Sequence, residues 1–119
     1  MKYVLLFGET KERAKQWEAM PEAQRQAAYA PINQWFEKYG KNVTGGHELQ
    51  PDHTATTVTF NNGKPVITDG PFIEGKETIG GYAEVTVADL DEALEMAKAW
   101  PTGGLVEVRP IIDRGEPQR

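Results

Sequence analysis

A charged, glycine-rich segment in the middle of the chain holds the densest set of candidate functional residues. It runs from Asp69 to Gly81 and reads DGPFIEGKETIGG. A carboxylate such as Asp69 in a cleft can act as a general base or anchor a substrate. Asp-Gly-Pro is also ordinary turn chemistry, because an aspartate side chain caps nearby backbone N–H groups. The turn role is the more common one, and catalysis by Asp69 is the alternative.

The same segment contains candidate ligand-binding residues. Glu74, Lys76 and Glu77 place three charges within four positions. Such runs usually face solvent, but Phe72 on one side favours a loop that folds back on the domain. A lysine held there by a carboxylate can also bind an anionic ligand. We therefore predict a binding role for Glu74, Lys76 and Glu77, with Phe72 and Tyr82 as the apolar wall.

Three further side chains could take part in chemistry. His47 follows two glycines and could point into a pocket as a general acid that pairs with Asp69. His53 follows Pro51-Asp52 and is predicted to be an exposed loop residue. Arg109 could clamp a carboxylate or a phenolate through two hydrogen bonds. It shares a strand face with Glu107, and its alternative role is an ion pair across the sheet or across the dimer interface.

Composition excludes several classes of function. The chain has 119 residues and a net charge of −5, with scattered basic residues, so we expect one domain and no nucleic-acid partner. The absence of cysteine excludes disulfides and thiolate metal sites. The N-terminal apolar run is too short for a membrane span or a signal peptide. We therefore expect a cytoplasmic protein with no membrane partner.

No cofactor or metal is expected from the motifs. Gly70, Gly75 and Lys76 fit most of a phosphate-binding loop, but Glu77 stands where that loop needs a serine or threonine. The two histidines make a weak metal signal without cysteine.

The apolar periodicity predicts a β-α-β-β-β-β-α-β order of elements. Thr10 and Asp89 are predicted helix N-caps, and Asn61-Asn62-Gly63 is a hairpin signal. Pro31 should kink or split the helical region between residues 21 and 40. Aromatic residues recur at helical spacing and are expected to be core or dimer contacts rather than an aromatic cage: Trp17, Tyr29, Trp35 and Phe36.

Without its inserted hairpin, this order is the ferredoxin-like β-α-β-β-α-β pattern, an α+β fold. Helices cover one face of such a sheet and leave the other bare. Val58, Phe60, Val85 and Val108 are the apolar residues expected to be exposed there. We predict that a homodimer covers this face. Residues 1–112 are expected to form a single domain, followed by a polar tail over residues 113–119.

The motif of the middle segment resembles a known family. Asp69-Gly70-Pro71-Phe72, followed by Gly80-Gly81-Tyr82, is similar to the signature of the YCII-related family in its DGPF-domain branch. The opening strand, the last helix and the last strand also look like the family's, so the resemblance spans about residues 1–112. It implies a dimeric α+β barrel.

The resemblance implies two kinds of function. Some YCII-domain relatives are dehydrochlorinases of aromatic degradation, and other DGPF domains are linked to extracytoplasmic-function sigma factors. The YCII branch has a proposed His–Asp pair, whose histidine would fall near Tyr29 and whose aspartate would fall near Asp69. This chain has no histidine on that helix.

We therefore expect a homodimeric domain that binds a small organic anion beside the Asp69–Glu77 loop. The alternatives are an acid–base enzyme acting on a small aromatic molecule, such as a lyase, an isomerase or a dehydrochlorinase, and a regulatory module that docks on a sigma factor.

Overall fold

The computed structural model of the protein describes residues 1–72 and 75–115. Its elements follow one another in the predicted order, with two helices in the first helical region and a single 3₁₀ turn at Asp52–Thr54. They are β1 (Lys2–Thr10), α1 (Lys11–Ala19), α2 (Glu22–Lys38), β2 (Val43–Glu48), β3 (Thr56–Asn61), β4 (Lys64–Asp69), β5 (Glu77–Thr86), α3 (Leu90–Lys98) and β6 (Leu105–Pro110).

Four strands form the main sheet, in the order β2-β5-β1-β6. Every neighbouring pair in it is antiparallel. This is the strand order of a ferredoxin-like fold, so the predicted fold class is confirmed. Strands β3 and β4 pair only with each other and form the predicted inserted hairpin.

The core lies between the sheet and helices α2 and α3. Alternate residues of β1, namely Tyr3, Leu5 and Phe7, are buried on the face that the helices cover. Trp35 of α2 is only 4% exposed. Its indole N–H donates to the carbonyl of Met96 at 2.9 Å. Because the last carbonyls of a helix lack an intrahelical donor, this bond completes the end of α3 and fastens it to α2.

Local signals set the helix boundaries. The Thr10 hydroxyl accepts from the backbone N–H of Arg13, and the Asp89 carboxylate accepts from that of Glu92, so both predicted N-caps are confirmed. Pro31 does not split α2, which continues to Lys38. Proline removes one backbone hydrogen bond. We attribute the tolerance to packing, because the turn after Pro31 buries Trp35.

The hairpin has the predicted turn but little contact with the core. Asn62 and Gly63 both have positive φ angles, 51° and 80°, as a two-residue hairpin of type I′ requires. On one face of the hairpin, Val58, Phe60 and Ile67 are 49%, 73% and 71% exposed. The hairpin projects from the two stacked layers of helices and sheet, and the principal extents of the chain are 44 × 43 × 22 Å.

Two residues expected on the bare sheet face belong to the covered one instead. Val85 is 1% exposed and lies in the core, and Val108 packs against it. The register explains the error: Val85 pairs with Tyr3, and Val108 pairs with Leu5, so both share the face of the buried β1 residues.

The described ranges hold no helix that is long and apolar enough to cross a membrane. The predicted polar tail is described only as far as residue 115, where it has no helix or strand.

Candidate functional site

A cleft of about 580 Å³ opens between helix α1, the first part of α2 and one end of the main sheet. Its volume falls in the range of small-molecule sites, roughly 300–1,000 Å³. Three strands reach it: β1 through Phe7 and Glu9 near its end, β2 through its last residue Glu48, and β5 through Gly81 in its middle. The cleft is therefore built where the central strand passes into α1.

Aromatic side chains form most of the apolar wall. Trp17 of α1 meets Tyr29 of α2 edge to face, with ring centroids 5.3 Å apart. Phe7 stacks on Trp100 at 3.8 Å. Trp35 lies behind this wall and contacts both Phe7 and Trp100 at right angles, at 5.8 and 5.1 Å. The buried tryptophan thus couples the shape of the cleft to the core.

The clearest polar feature of the cleft is a tyrosine–carboxylate pair. The Tyr29 hydroxyl lies 2.8 and 3.0 Å from the two carboxylate oxygens of Glu48, to which it donates. Burial raises the pKa of Tyr29 above its usual 10, and the hydrogen bond and negative charge of Glu48 raise it further. Tyr29 is therefore a protonated donor at neutral pH. Because each carboxylate oxygen has two lone pairs, Glu48 can still accept from a ligand.

A bulge in β2 directs this part of the strand at the cleft. The pairing of β2 with β5 shifts register between Val43 and Gly45. Gly46 has a φ of 146°, and a Cβ there would clash with the Tyr82 carbonyl oxygen, so the position requires glycine. Bulges often re-aim side chains beside functional sites. Here the bulge precedes Glu48, whose carboxylate meets Tyr29 in the cleft.

The remaining charged groups of the cleft come from β1 and α1. Glu9 is half-buried at the end of β1. Arg13 donates from its guanidinium to the Thr102 carbonyl at 2.9 Å, which ties α1 to the loop after α3. The charged lining residues are therefore two carboxylates, Glu9 and Glu48, and one guanidinium.

Two ion pairs outside the cleft connect the segment before the hairpin to α1. His53 lies 2.8 Å from the Glu18 carboxylate, and Lys11 lies 3.5 Å from Asp52. The Glu18 hydrogen bond and charge raise the pKa of His53 above its usual 6.5. The His53 side chain is 64% exposed, in agreement with the predicted loop position.

Of the residues predicted to form one site, His47 and Tyr82 border this cleft, and their ring centroids are 6.1 Å apart. Their side chains lie on the bare face of the sheet, because Tyr82 pairs with His47 on one side and with Leu6 on the other. Arg109 does not border the cleft: it pairs in register with Val4, lies on the same bare face and forms an ion pair with Glu107. Its predicted clamping role would therefore need a separate site.

The other predicted site residues lie on the hairpin end and the loop after it. Asp69 ends β4 and is exposed, and no described residue donates a hydrogen bond to its carboxylate. Gly70, at φ 102°, makes the turn, and its N–H donates to the Ala55 carbonyl at 2.7 Å. These contacts form a turn at Gly70, but the predicted capping of backbone N–H groups by the Asp69 side chain is not seen among the described residues. The catalytic role of Asp69 remains a prediction.

The binding residues predicted after that turn are also apart from the cleft lining. Phe72 is 76% exposed. The Lys76 carbonyl accepts from the backbone N–H of Lys11 at 2.8 Å, and its side chain is not part of the lining. Glu77 begins β5 opposite Thr10. Glu74 lies outside the described residues, so its predicted role has no structural description.

The sequence prediction missed most of the cleft. The four aromatic residues at helical spacing were expected to be core or dimer contacts. Trp35 is buried in the core and Phe36 packs against it. Trp17 and Tyr29 line the cleft instead, which Phe36 also borders. Glu48 was not predicted at all. The sequence does contain an indication of this residue, because Glu48 comes directly after His47 and the two glycines of the bulge.

The described residues contain no group of three histidine, aspartate or glutamate side chains arranged to hold a metal ion. The cleft chemistry that the structure does supply is hydrogen bonding, charge and aromatic contact.

Comparison with known proteins gives one family and one relative of note. The model of the YCII-related domain matches residues 1–114. An uncharacterized protein of Rhizobium meliloti (strain 1021) is 40% identical over 67 residues, which are 53% of this chain and 54% of the relative. The chain thus aligns with about half the length of that curated relative. Since the family model covers nearly every residue, the chain belongs to the YCII-related domain family.

Proposed function

We propose that this domain binds a small aromatic molecule in the cleft between α1, α2 and the sheet. The observation that carries the proposal is the composition of the lining: an aromatic wall around one tyrosine–carboxylate pair, in a volume of about 580 Å³. Ligand sites are commonly apolar clefts with a few placed polar groups. The earlier expectation of an organic anion depended on Lys76 and Arg109, neither of which lines the cleft.

A titration with benzyl alcohol, followed by the indole N–H signals in NMR, tests the proposal. The signals of Trp17 and Trp100 should shift most, because both line the cleft. Ala28→Phe should fill the cleft and weaken binding at least tenfold. Ala27→Phe is the matched control, since Ala27 is the exposed neighbour outside the lining and should leave binding unchanged. Equal binding by the two variants would refute the proposal.

A second candidate is acid–base catalysis on the bound molecule. The specific observation is that Glu48 and Tyr29 line the cleft and are already hydrogen-bonded to each other. A carboxylate and a protonated phenol are a possible base and acid. Incubation of the protein with molecules that bind in the cleft, followed by mass spectrometry of those molecules, tests this. If none of them is chemically changed, binding alone is the function. The same conclusion follows if Glu48→Gln leaves the turnover unchanged.

We also propose that the chain forms a homodimer through the sheet face that the helices leave bare. Val4 and Leu6 lie on that face between the buried residues of β1 and are only half-buried in one chain. The broad side of the chain measures 44 × 43 Å. It is therefore large enough for a standard interface, in which each partner buries roughly 800 Å². The exposed apolar face of the hairpin, with Phe60 at its tip, adds further area that water would otherwise contact.

Light scattering at micromolar concentration tests the dimer. The mass should be twice 13.2 kDa. Leu6→Lys, which places a charge on the bare face, should give the monomer. Thr86→Lys, an exposed position at the margin of the same face, is the control and should stay dimeric. A monomeric parent chain would refute this proposal.

A further inference from the structure

The charges and rings of the cleft together point to a class of ligand. We propose that the cleft prefers an aromatic amine in its protonated, cationic form to a neutral or anionic molecule of the same shape. This inference rests on the proposed function, because it specifies what the cleft binds.

The first argument is the balance of charge. The two carboxylates of the lining, Glu9 and Glu48, face one guanidinium, that of Arg13. Arg13 already donates to the Thr102 carbonyl. Tyr29 donates its hydroxyl proton to Glu48 and adds no negative charge at neutral pH, because its pKa is raised. An ammonium group can therefore pair with Glu48, whereas a carboxylate ligand would be repelled by the same group.

The second argument is the aromatic wall. The face of a tryptophan or tyrosine ring attracts a cation through its quadrupole, most strongly for tryptophan. Trp17 and Trp100 line the cleft, and Tyr29 holds the carboxylate against this wall. Rings and a carboxylate thus favour the same ligand charge.

The third argument is the availability of hydrogen-bond acceptors. An ammonium donates up to three hydrogen bonds and accepts none. Both oxygens of Glu48 have a lone pair beyond the one that accepts from Tyr29. The half-buried carboxylate of Glu9 lines the same cleft. The two carboxylates therefore supply acceptors for the protons of a bound ammonium group.

Calorimetric titration at pH 7 with benzylamine, benzyl alcohol and benzoate separates charge from shape, since the three share one ring. Benzylamine should bind at least tenfold more tightly than benzyl alcohol, and benzoate should bind most weakly. Glu48→Gln should reduce the affinity for benzylamine to about that for benzyl alcohol. Glu12→Gln changes the net charge equally, but Glu12 lies outside the lining, so this control should keep the preference.

Binding of benzyl alcohol or benzoate as tight as that of benzylamine would overturn the inference and leave the proposed function intact. The inference would equally fail if Glu12→Gln reduced benzylamine binding as much as Glu48→Gln, because the preference would then reflect net charge alone. If none of the three molecules binds, both the inference and the proposed function fail.

Discussion

Replacing Trp35 with phenylalanine tests how the core supports the cleft. The variant keeps an aromatic ring in the core but removes the indole N–H that donates to the Met96 carbonyl at 2.9 Å. Leaving that buried carbonyl unsatisfied costs about 1–3 kcal/mol. The smaller ring also loses buried apolar atoms, worth about 1–2 kcal/mol. We therefore expect the free energy of unfolding to fall by about 2–5 kcal/mol.

Urea unfolding followed by far-UV circular dichroism measures this loss, with all proteins at the same concentration because a dimer would add a concentration term. In thermal unfolding, each kcal/mol of this loss should lower the Tm by roughly 4 °C for a domain of this size. Trp17→Phe is the matched control: it removes the same atoms from a half-buried side chain and should cost about 1 kcal/mol or less. If Trp35→Phe costs no more than this control, the indole bond does not hold α2 to α3.

Three further predictions follow from single contacts. Glu18→Gln should lower the pKa of His53 toward 6.5 in an NMR titration; the stability that His53 contributes is present below pH 6.5 and is lost as pH rises through its raised pKa. Gly46→Ala should cost about 1–3 kcal/mol in urea unfolding, whereas Gly80→Ala, whose Cβ meets open space, should cost less. Tyr29 should titrate above pH 10 by phenolate absorbance, and stability should fall as pH rises through that pKa; a Tyr29 pKa at or below 10 would contradict the pair with Glu48.

Features that depend on neighbouring residues could be predicted from the sequence. The caps at Thr10 and Asp89 and the turn at Asn62-Gly63 involve contacts within about three residues, so their chemistry is visible in the letters themselves. The start of β5 at Glu77 was not visible, because Glu77, Thr78 and the residues after them become strand by pairing with the end of β1. Pairing between distant segments overrides a local composition that is typical of a loop.

The cleft was harder to predict for the same reason. Tyr29 and Glu48 are 19 positions apart, and their contact needs both the path of α2 and the bulge before His47. Helical spacing showed that Tyr29 and Phe36 share a face of one helix, but spacing cannot distinguish a packed face from one that borders an opening. The binding site was predicted at the charged loop after Asp69 because charged residues and glycines are concentrated there. Its described contacts are those of a turn at the base of the hairpin.

A crystal structure of the chain grown with benzylamine tests the central claim most directly. The account predicts the phenyl ring against Trp17 and Trp100, with the ammonium group within hydrogen-bonding distance of the Glu48 carboxylate. Benzylamine bound elsewhere, with the cleft free of it, would contradict the account.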